Sequence, residues 1–339
     1  MRPCGALLSC RPVTPSACVA PTPPAFAADG PLVIVLNAGS GRADADATQR
    51  TVSEILEAAG RPHEVLRIAR GTDVAEVAAR AVRRAQGWQG AVVAAGGDGT
   101  LSAVAQAVVP AGLPFGVLPQ GTFNYFSRMQ GVASDTGQAT RALLRARPAP
   151  VQVGLVNERM FLVNASVGLY PQLLEDREAY KQRYGRSRLV ALWSALVTLL
   201  NAHRPLRLQI ECQGRLQSVR TSTLFVGNNG LQLQQIGVPE AELLAQGQLV
   251  ALMLRPVGTL GMLGLMLQGA FGRLGEAEDV LRFGFERLGV RPAAPRRRAR
   301  VKVATDGEIC WLQAPLSFRV SPRPLWLLQP APEDRVEPA

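Results

Sequence analysis

The chain has 339 residues, of which 47% are hydrophobic, and it carries a formal net charge of +11 at pH 7. The length favours two domains, and the apolar content argues against a disordered chain. The positive charge favours negatively charged partners, such as nucleotides, nucleic acid or anionic lipid headgroups. Neither of the lysines, Lys181 and Lys302, lies in the G-x-x-x-x-G-K-[ST] context that a P-loop requires.

Residues 1–30 are rich in proline, alanine and cysteine. The apolar stretch in this segment is too short for a signal peptide and is interrupted by Arg11 and by several prolines. We therefore predict a disordered leader or a misplaced start codon.

Between residues 31 and 148, short apolar runs alternate with helical patterns. The runs at 32–36, 64–68, 91–95 and 115–118 are typical of buried strands. Helices are predicted after the first three runs: one with Val52 and Leu56 on its apolar face, one capped by Asp73, and one from Leu101 to Val109. This alternation predicts an α/β domain with a parallel sheet and right-handed crossovers.

The pattern changes after the proline-rich break that ends at Pro150. Strands are predicted at 151–167, 206–211, 219–226, 248–254, 301–305 and 316–328, with apolar helices at about 187–203 and 257–274. Residues 149–330 are therefore expected to form a mainly β, β-sandwich-like domain, whose C-terminal tail can return to the first domain. Residues 331–339 are expected to be a disordered tail.

Two apolar stretches, Leu189–Leu200 and Val257–Leu267, are shorter than the ~20 residues that span a bilayer. One interpretation buries both stretches in a core. The other places them in a lipid-entry cleft or at the membrane interface, with Arg186, Arg188 and Arg204 beside the headgroups. The sequence does not decide between the two.

Three glycine-containing turns follow predicted strands of the first domain: N-A-G-S-G (37–41), G-G-D-G-T (96–100) and P-Q-G-T-F-N (119–124). Glycines let the backbone approach a ligand closely, and the amides at the start of a following helix bind anions. Ligands of open α/β sheets bind where such turns gather. Each turn alone could be a simple connection, but together they predict a nucleotide site.

Asp98 lies inside the central turn, where a phosphate cradle alone would not need a carboxylate. An aspartate at this position is typical of a group that contacts a magnesium ion, a water molecule or a hydroxyl being activated. The alternative is a structural strand-to-helix junction without a ligand.

A fourth motif, T-D-G-E (305–308), follows a basic strand in the second domain. A D-G pair is most often a hairpin turn. A carboxylate near cations also stays ionised and can act as a base or a metal ligand, so Asp306 and Glu308 are candidate functional residues. No aromatic platform or reader motif accompanies the basic run, which disfavours nucleic-acid binding.

With these motifs, residues 31 to about 330 resemble the diacylglycerol kinase catalytic family, which includes bacterial lipid kinases and sphingosine and ceramide kinases. N-A-G-S-G is similar to the family's N-P-x-S-G, G-G-D-G-T is its signature, and P-Q-G-T-F-N is similar to P-x-G-T-x-N. The segments F-L-V-N-A-S-V-G-L-Y (161–170), L-F-V-G-N-N-G (224–230) and D-G-E (306–308) follow in the family's order. The shorter G-G-D-G motif also occurs in NAD kinases and phosphofructokinases.

The resemblance implies a role for each motif. ATP and Mg²⁺ would be the cofactors, Asp98 would orient the nucleotide and its magnesium, and Glu308 would be the general base that takes the proton from a lipid hydroxyl. The residues implied in nucleotide binding are Asn37, Gly39, Ser40, Gly41, Gly96, Gly97, Asp98, Gly99, Thr100, Leu101, Ser102, Gly121, Thr122, Asn124 and Asp306.

The chain departs from the family pattern at three positions where the family often has an aspartate: Tyr125, Gln152 and Gln246. These changes put the family's structural magnesium site in doubt. They also leave open a lipid-binding pseudokinase.

The sequence thus predicts an ATP-dependent kinase that phosphorylates diacylglycerol or a similar lipid at the membrane surface. We expect it to be cytoplasmic and peripherally associated with the inner face of the membrane. A kinase for a soluble substrate, similar to NAD kinase, is the alternative enzyme.

Overall fold

The computed structural model describes residues 22–27, 29–39, 45–69, 71–168, 205–212, 214–258, 277–293 and 300–337, with 261, 264, 265, 268, 273 and 275. The predicted leader lies outside these residues up to position 21, and Ser40 and Gly41 also lie outside them. The apolar stretch Leu189–Leu200 is wholly outside the described residues, and Val257–Leu267 is partly outside.

The described residues form two compact units. One, here called the α/β unit, contains residues up to Val153 and again from Ser321. The other, the β unit, contains Gly154–Val320. The chain therefore leaves the α/β unit once and returns to it near its end.

The α/β unit is built on a six-stranded sheet. Its strands are β1 (Leu32–Asn37), β2 (His63–Ile68), β3 (Ala91–Gly96), β4 (Pro114–Pro119), β5 (Arg147–Val151) and, from the end of the chain, β18 (Leu325–Gln329). The order is β2-β1-β3-β4-β18-β5, and only the β18–β5 pair is antiparallel. All residues of β3 and β4 are buried, as continuous apolar strands of a covered parallel sheet require.

Five helices accompany this sheet: α1 (Ala45–Ala58), α2 (Val74–Trp88), α3 (Asp98–Ala111), α4 (Tyr125–Met129) and α5 (Thr136–Arg145). The predicted cap of α2 is present, because the Asp73 carboxylate accepts a hydrogen bond from the Ala75 amide at 2.9 Å. The apolar positions Val52 and Leu56 of α1 are buried, as the helical pattern indicates. The sequence pattern did not predict α4 and α5.

The β unit contains two six-stranded sheets. The first has the order β10-β9-β14-β17-β6-β7 and the second β13-β12-β11-β8-β15-β16. These strands are β6 (Gly154–Val156), β7 (Arg159–Phe161), β8 (Asn164–Gly168), β9 (Leu206–Cys212), β10 (Arg215–Thr221), β11 (Thr223–Gly227), β12 (Leu249–Leu254), β13 (Val280–Phe285), β14 (Arg287–Pro292), β15 (Arg300–Thr305), β16 (Glu308–Gln313) and β17 (Leu316–Val320). Helix α6 (Gly230–Gln235) and the 3-10 helix Pro239–Gln246 follow β11.

One apolar core is shared by both sheets of the β unit. Phe161, Ile210 and Phe318 contribute to it from the first sheet, and Leu224 and Val303 from the second. Two sheets that face each other across one core form a sandwich, which confirms the predicted fold class.

Several element boundaries differ from the sequence-based prediction. The run 151–167 is divided among β5, β6, β7 and β8, and the single strand predicted at 316–328 is two strands in different units. Strands β13 and β14 were not predicted. In the expected disordered tail, Pro332–Asp334 form a 3-10 helix, and Asp334 pairs with Arg145.

Within the described residues, no helix combines the length and apolar character needed to cross a bilayer.

Candidate functional site

The three glycine-containing turns lie at one edge of the α/β sheet. Strands β1, β3 and β4 are neighbours and run parallel, so their carboxyl ends point the same way. The register aligns Leu36 with Ala95 and Gly96 with Pro119. The described parts of the three turns therefore leave the sheet side by side, as the sequence predicted.

Hydrogen bonds join these turns to one another. The Asn37 side-chain amide donates to the Thr100 hydroxyl at 2.8 Å, which links the first turn to the second. The Gln120 backbone amide donates to the Gly96 carbonyl at 2.9 Å, which links the third turn to the second. The first turn is also fixed internally, because the Gly39 amide donates to the Asn37 side-chain oxygen at 3.0 Å. The three turns therefore form one connected surface.

The second and third turns make backbone contact at Gly97 and Gly121. A Cβ atom on Gly121 would lie 2.8 Å from the Gly97 Cα and 2.7 Å from the Asn124 side-chain oxygen. A Cβ atom on Gly97 would lie 3.3 Å from the Gly121 Cα. Both positions thus require glycine for their close approach rather than for turn geometry alone.

The sequence assigns the second and third turns to ATP phosphates, so the Gly121→Ala substitution is expected to raise the KM for ATP by about tenfold or more, because the added methyl group separates these two turns. Steady-state kinetics at varied ATP concentrations would measure this change. Gly87→Ala is the matched control, since a Cβ atom at Gly87 in α2 meets nothing within 4 Å. A Gly121→Ala enzyme with the wild-type KM would contradict the assignment of this turn.

Asn124 holds the third turn in shape. Its backbone has φ +49°, in the left-handed region that asparagine tolerates better than most residues. Its side chain accepts a hydrogen bond from the Gly121 amide and donates one to the Gly121 carbonyl, each at 2.9 Å. These two bonds give Asn124 a structural role in the turn.

The second turn opens directly into α3, whose first residue is Asp98. Gly97 precedes the helix and provides no side-chain cap. Free amides at a helix start attract anions, and the helix dipole adds to this attraction. The predicted ligand-binding residues Thr100 and Ser102 are buried, the Leu101 side chain is fully buried, and the Leu101 amide donates to the Gly97 carbonyl at 3.0 Å.

The Asp98 carboxylate points to α4. One oxygen accepts a hydrogen bond from the Tyr125 amide at 3.1 Å, and the other accepts one from the Phe126 amide at 3.0 Å. Burial raises the pKa of the Asp98 carboxyl, while these two hydrogen bonds oppose the rise. In this conformation Asp98 fixes the start of α4 against the second turn.

The Asp98 carboxylate was predicted to contact magnesium. Both of its oxygens accept backbone hydrogen bonds, and no group of three or more His, Cys, Asp or Glu side chains suited to a metal occurs among the described residues. Tyr125 contributes its backbone amide to the Asp98 carboxylate. The magnesium role of Asp98 stays a prediction, since a nucleotide-borne magnesium ion needs only one or two protein carboxylates.

An aromatic pair lies beside the third turn and was not identified from the sequence. The rings of Phe123 and Tyr125 stack with their centroids 5.7 Å apart, and Phe123 is 51% exposed. The Arg128 guanidinium lies 5.9 Å from the Tyr125 ring centroid. The sequence signal that could have identified this pair is two aromatic residues spaced i, i+2 directly after a turn.

In the β unit, Asp306 is a structural residue of the β15–β16 hairpin. Thr305 pairs with Glu308, so Asp306 and Gly307 form a two-residue turn with φ values of +48° and +85°. The buried Asp306 carboxylate accepts hydrogen bonds from the amides of Leu162, Val163 and Asn164, at 2.7, 2.8 and 2.9 Å. The D-G pair is thus the hairpin turn that its sequence suggests, and its aspartate anchors the segment between β7 and β8.

Glu308 follows this anchored turn and is the first residue of β16. Its side chain is 49% exposed, and one carboxylate oxygen lies 3.1 Å from the Arg159 guanidinium. Partial burial raises the pKa of the Glu308 carboxyl, and the Arg159 charge opposes the rise. Glu308 therefore combines a fixed backbone and an accessible oxygen with a neighbouring cation that partly offsets the effect of burial on its pKa.

Arg159 on β7 is the partner that the sequence analysis missed. It lies 149 positions from Glu308 in sequence and on the other sheet, so only the packing of the two sheets could identify it. Its hydrogen bond engages one of the two carboxylate oxygens of Glu308.

The described residues thus form an α/β unit with three clustered glycine turns and a β sandwich with an accessible carboxylate. Residues 31–156 match the family model of the diacylglycerol kinase catalytic domain, which confirms the resemblance for this part of the chain.

Curated relatives agree with this assignment. The chain is 35% identical over 79 residues to "Probable lipid kinase YegS-like" of Klebsiella pneumoniae (strain 342), covering 23% of this chain and 27% of that protein. It is 27% identical over 157 residues to a "Putative lipid kinase" of Staphylococcus aureus (strain Newman), covering 44% and 50%. The chain thus spans between about a quarter and a half of the length of these relatives.

Solved structures show the same fold over most of the chain. A crystal structure described as a "putative diacylglycerol kinase from Bacillus anthracis str. Sterne" aligns with a TM-score of 0.68 and 18% sequence identity. The alignment covers 90% of this chain and 98% of that one. The similarity therefore extends beyond residue 156 into the β unit.

Proposed function

We propose that this protein is an ATP-dependent lipid kinase that transfers the γ-phosphoryl group to the hydroxyl of diacylglycerol or a similar lipid. The observation that carries the proposal is the gathering of three linked glycine turns at one sheet edge in a domain that matches the diacylglycerol kinase family. The names of the relatives support a lipid as the acceptor.

The nucleotide would be held by backbone groups of the turns. Asn37, Gly39, Gly96, Gly97, Gly99, Thr100, Gly121 and Thr122 belong to the connected surface at the sheet edge, and Ser40 and Gly41 continue the first turn in sequence. Amides at the start of α3 would stabilise negative charge on the phosphates. ATP supplies the phosphoryl group. A magnesium ion that arrives with the nucleotide would be held mainly by the phosphates and water, with Asp98 as the predicted protein contact.

Glu308 would act as the general base. Its carboxylate takes the proton from the lipid hydroxyl as the hydroxyl oxygen forms a bond to the γ-phosphorus. The bond between the γ-phosphorus and the oxygen that bridges it to the β-phosphate breaks, and ADP leaves with that electron pair. The products are a lipid phosphomonoester, ADP and a protonated Glu308, which returns its proton to water.

The proposal is tested by incubating the full chain with ATP, magnesium and a total lipid extract, and by searching with mass spectrometry for lipids that gain a phosphate. A phosphorylated diacylglycerol or similar lipid alcohol is the expected product. A parallel incubation with NAD tests the soluble-substrate alternative. Phosphate transfer to NAD and to no lipid would contradict the proposal.

A lipid-binding pseudokinase is the second candidate. It is favoured by the Asp98 contacts, which leave both oxygens bonded to backbone amides, and by Tyr125, Gln152 and Gln246 in place of family aspartates. Binding of lipid without phosphorylation of any lipid in the same extract would establish this candidate.

The pH dependence should respond to Arg159. Because Arg159 lowers the pKa of Glu308, replacing Arg159 by glutamine raises that pKa. The base must be ionised, so the acidic limb of the kcat/KM profile is expected to move to higher pH in Arg159→Gln, and less in Arg159→Lys. Arg282→Gln is the matched control, since Arg282 pairs with Glu240 at 2.8 Å and its side chain is 31% exposed, against 33% for Arg159. Identical acidic limbs in the wild type and Arg159→Gln would show that Glu308 does not set the profile.

We also propose that the protein is cytoplasmic and associates peripherally with the inner face of the membrane. The positive net charge of +11 supports attraction to anionic lipid headgroups. A lipid acceptor that stays in a bilayer requires the enzyme to come to that surface.

A further inference from the structure

The β15–β16 hairpin has one face outside the sandwich. Val301, Val303, Cys310 and Leu312 pack in or against the apolar core. Side chains alternate along a strand, so their sequence neighbours lie on the opposite face. The register places Lys302 opposite Trp311, Ala304 opposite Ile309 and Arg300 opposite Gln313 on that face. We call the group Arg300, Lys302, Ile309 and Trp311 the hairpin outer face.

The hairpin outer face combines an exposed indole with cations. Trp311 is 52% exposed, which is unusual for the largest side chain in proteins. The Lys302 ammonium lies 5.2 Å from the Trp311 ring centroid, and Arg300 is exposed two residues before it. The sequence immediately before β15 adds Arg296, Arg297 and Arg298.

This composition is complementary to an anionic membrane surface. Tryptophan favours the headgroup region because its ring is apolar and its N–H can remain hydrated. Basic side chains near a bilayer that contains anionic lipids each gain about 1 kcal/mol. The hairpin outer face presents both kinds of side chain on a rigid two-strand ribbon. This face has one aromatic side chain, Trp311. Single-stranded nucleic acid is usually bound on several aromatic platforms in a groove, so the composition of this face disfavours nucleic acid as the partner.

The hairpin outer face is separate from the Glu308 side chain. Trp311 and Glu308 are three residues apart on β16, or about 10 Å along the strand. Alternation places their side chains on opposite faces of that strand, so the docking proposal stands on the composition and exposure of the hairpin outer face alone.

We propose that the hairpin outer face is the surface through which this protein docks on anionic membranes, with Trp311 entering the headgroup region and Arg300 and Lys302 contacting anionic headgroups. The biological purpose of this docking rests on the proposed lipid kinase function. Binding to membranes is measured without catalysis, so it can be tested separately.

Vesicle co-sedimentation of the full chain tests the proposal, with vesicles of phosphatidylcholine alone and of phosphatidylcholine mixed with phosphatidylglycerol. The wild type is expected to prefer the anionic vesicles. Trp311→Ala should lower the partition coefficient about tenfold. The Arg300→Gln/Lys302→Gln double variant should lower it about thirtyfold on the anionic vesicles, the equivalent of ~1 kcal/mol per charge. Leu216→Ala is the matched control, because Leu216 is also 52% exposed but lies on β10 of the other sheet.

The outcomes separate this inference from the proposed function. If Trp311→Ala and the double variant bind anionic vesicles as the wild type does, the docking surface is wrong, whatever the kinase activity. Strong retention on single-stranded RNA without binding to vesicles would also overturn it. Activity of Trp311→Ala on a short-chain diacylglycerol in detergent micelles should equal that of the wild type, while its activity on vesicles falls. Far-ultraviolet circular dichroism verifies that each variant is folded. If Trp311→Ala does not fold, the Arg300→Gln/Lys302→Gln double variant decides the result.

Discussion

Replacing Glu308 by glutamine is expected to lower kcat by roughly a thousandfold, within the range typical of a lost general base. Glutamine keeps the size and the hydrogen-bonding reach of the side chain but cannot take a proton. The KM for ATP should change little, because Glu308 belongs to the β unit and the nucleotide turns to the α/β unit. Rapid-quench measurement of phospholipid formation under saturating ATP would report the chemical step.

Two comparisons make this result specific to the base. Glu158→Gln removes another glutamate of the β unit that pairs with an arginine, Arg319, at 3.2 Å, and it should leave kcat unchanged. The unfolding free energy of Glu308→Gln should differ from the wild type by less than about 1 kcal/mol, because the lost ion pair is half-exposed. Wild-type kcat in the Glu308→Gln variant would remove Glu308 from the mechanism.

The Asp306→Asn substitution is expected to destabilise the β unit by about 3 kcal/mol, because a carboxylate that accepts three amide hydrogen bonds becomes a group with one acceptor oxygen and a competing NH₂. The Asn side chain would place N–H donors against backbone N–H donors in a buried site. Glu308 lies two residues beyond Asp306, so activity should fall as its backbone loses this anchor. Urea unfolding followed by circular dichroism would give the change in midpoint.

Asp135→Asn serves as the control for Asp306→Asn. Asp135 caps α5 through one exposed hydrogen bond to the Gln138 amide at 2.8 Å, and asparagine is about as good a cap as aspartate. Its effect on stability should be within about 0.5 kcal/mol. An Asp306→Asn protein that unfolds at the wild-type urea concentration would show that the three amide contacts contribute little.

The sequence was sufficient to locate the sheet edge that carries the glycine turns because the relevant signals are local. An apolar run such as Ala91–Ala95 predicts a buried strand, and a glycine turn directly after it marks the carboxyl end. Parallel strands place these ends at one edge, so the neighbourhood of Asn37, Gly96 and Gly121 followed from pattern alone. The mainly β character of the second domain also followed from pattern.

The orientation of individual side chains did not follow from the sequence. The contact of Asp98 with α4 was not predicted, because α4 is a helix of five residues without a clear periodic pattern, and two of its amides donate to this carboxylate. Asp306 was grouped with the nucleotide ligands, whereas its oxygens bind amides about 140 positions away in sequence. Arg159 was missed for the same reason. Long-range contacts of this kind depend on strand pairing, which single-sequence periodicity does not encode.

The place of β18 between β4 and β5 has a consequence for biosynthesis. A ribosome releases β4 about 200 residues before β18, so the growing chain presents β4 with an unpaired edge throughout synthesis of the β unit. The sheet that carries the glycine turns is complete only after β18 emerges. A premature stop or proteolytic clip near the carboxyl terminus would thus damage the amino-terminal part of the protein, and such fragments should be prone to aggregate.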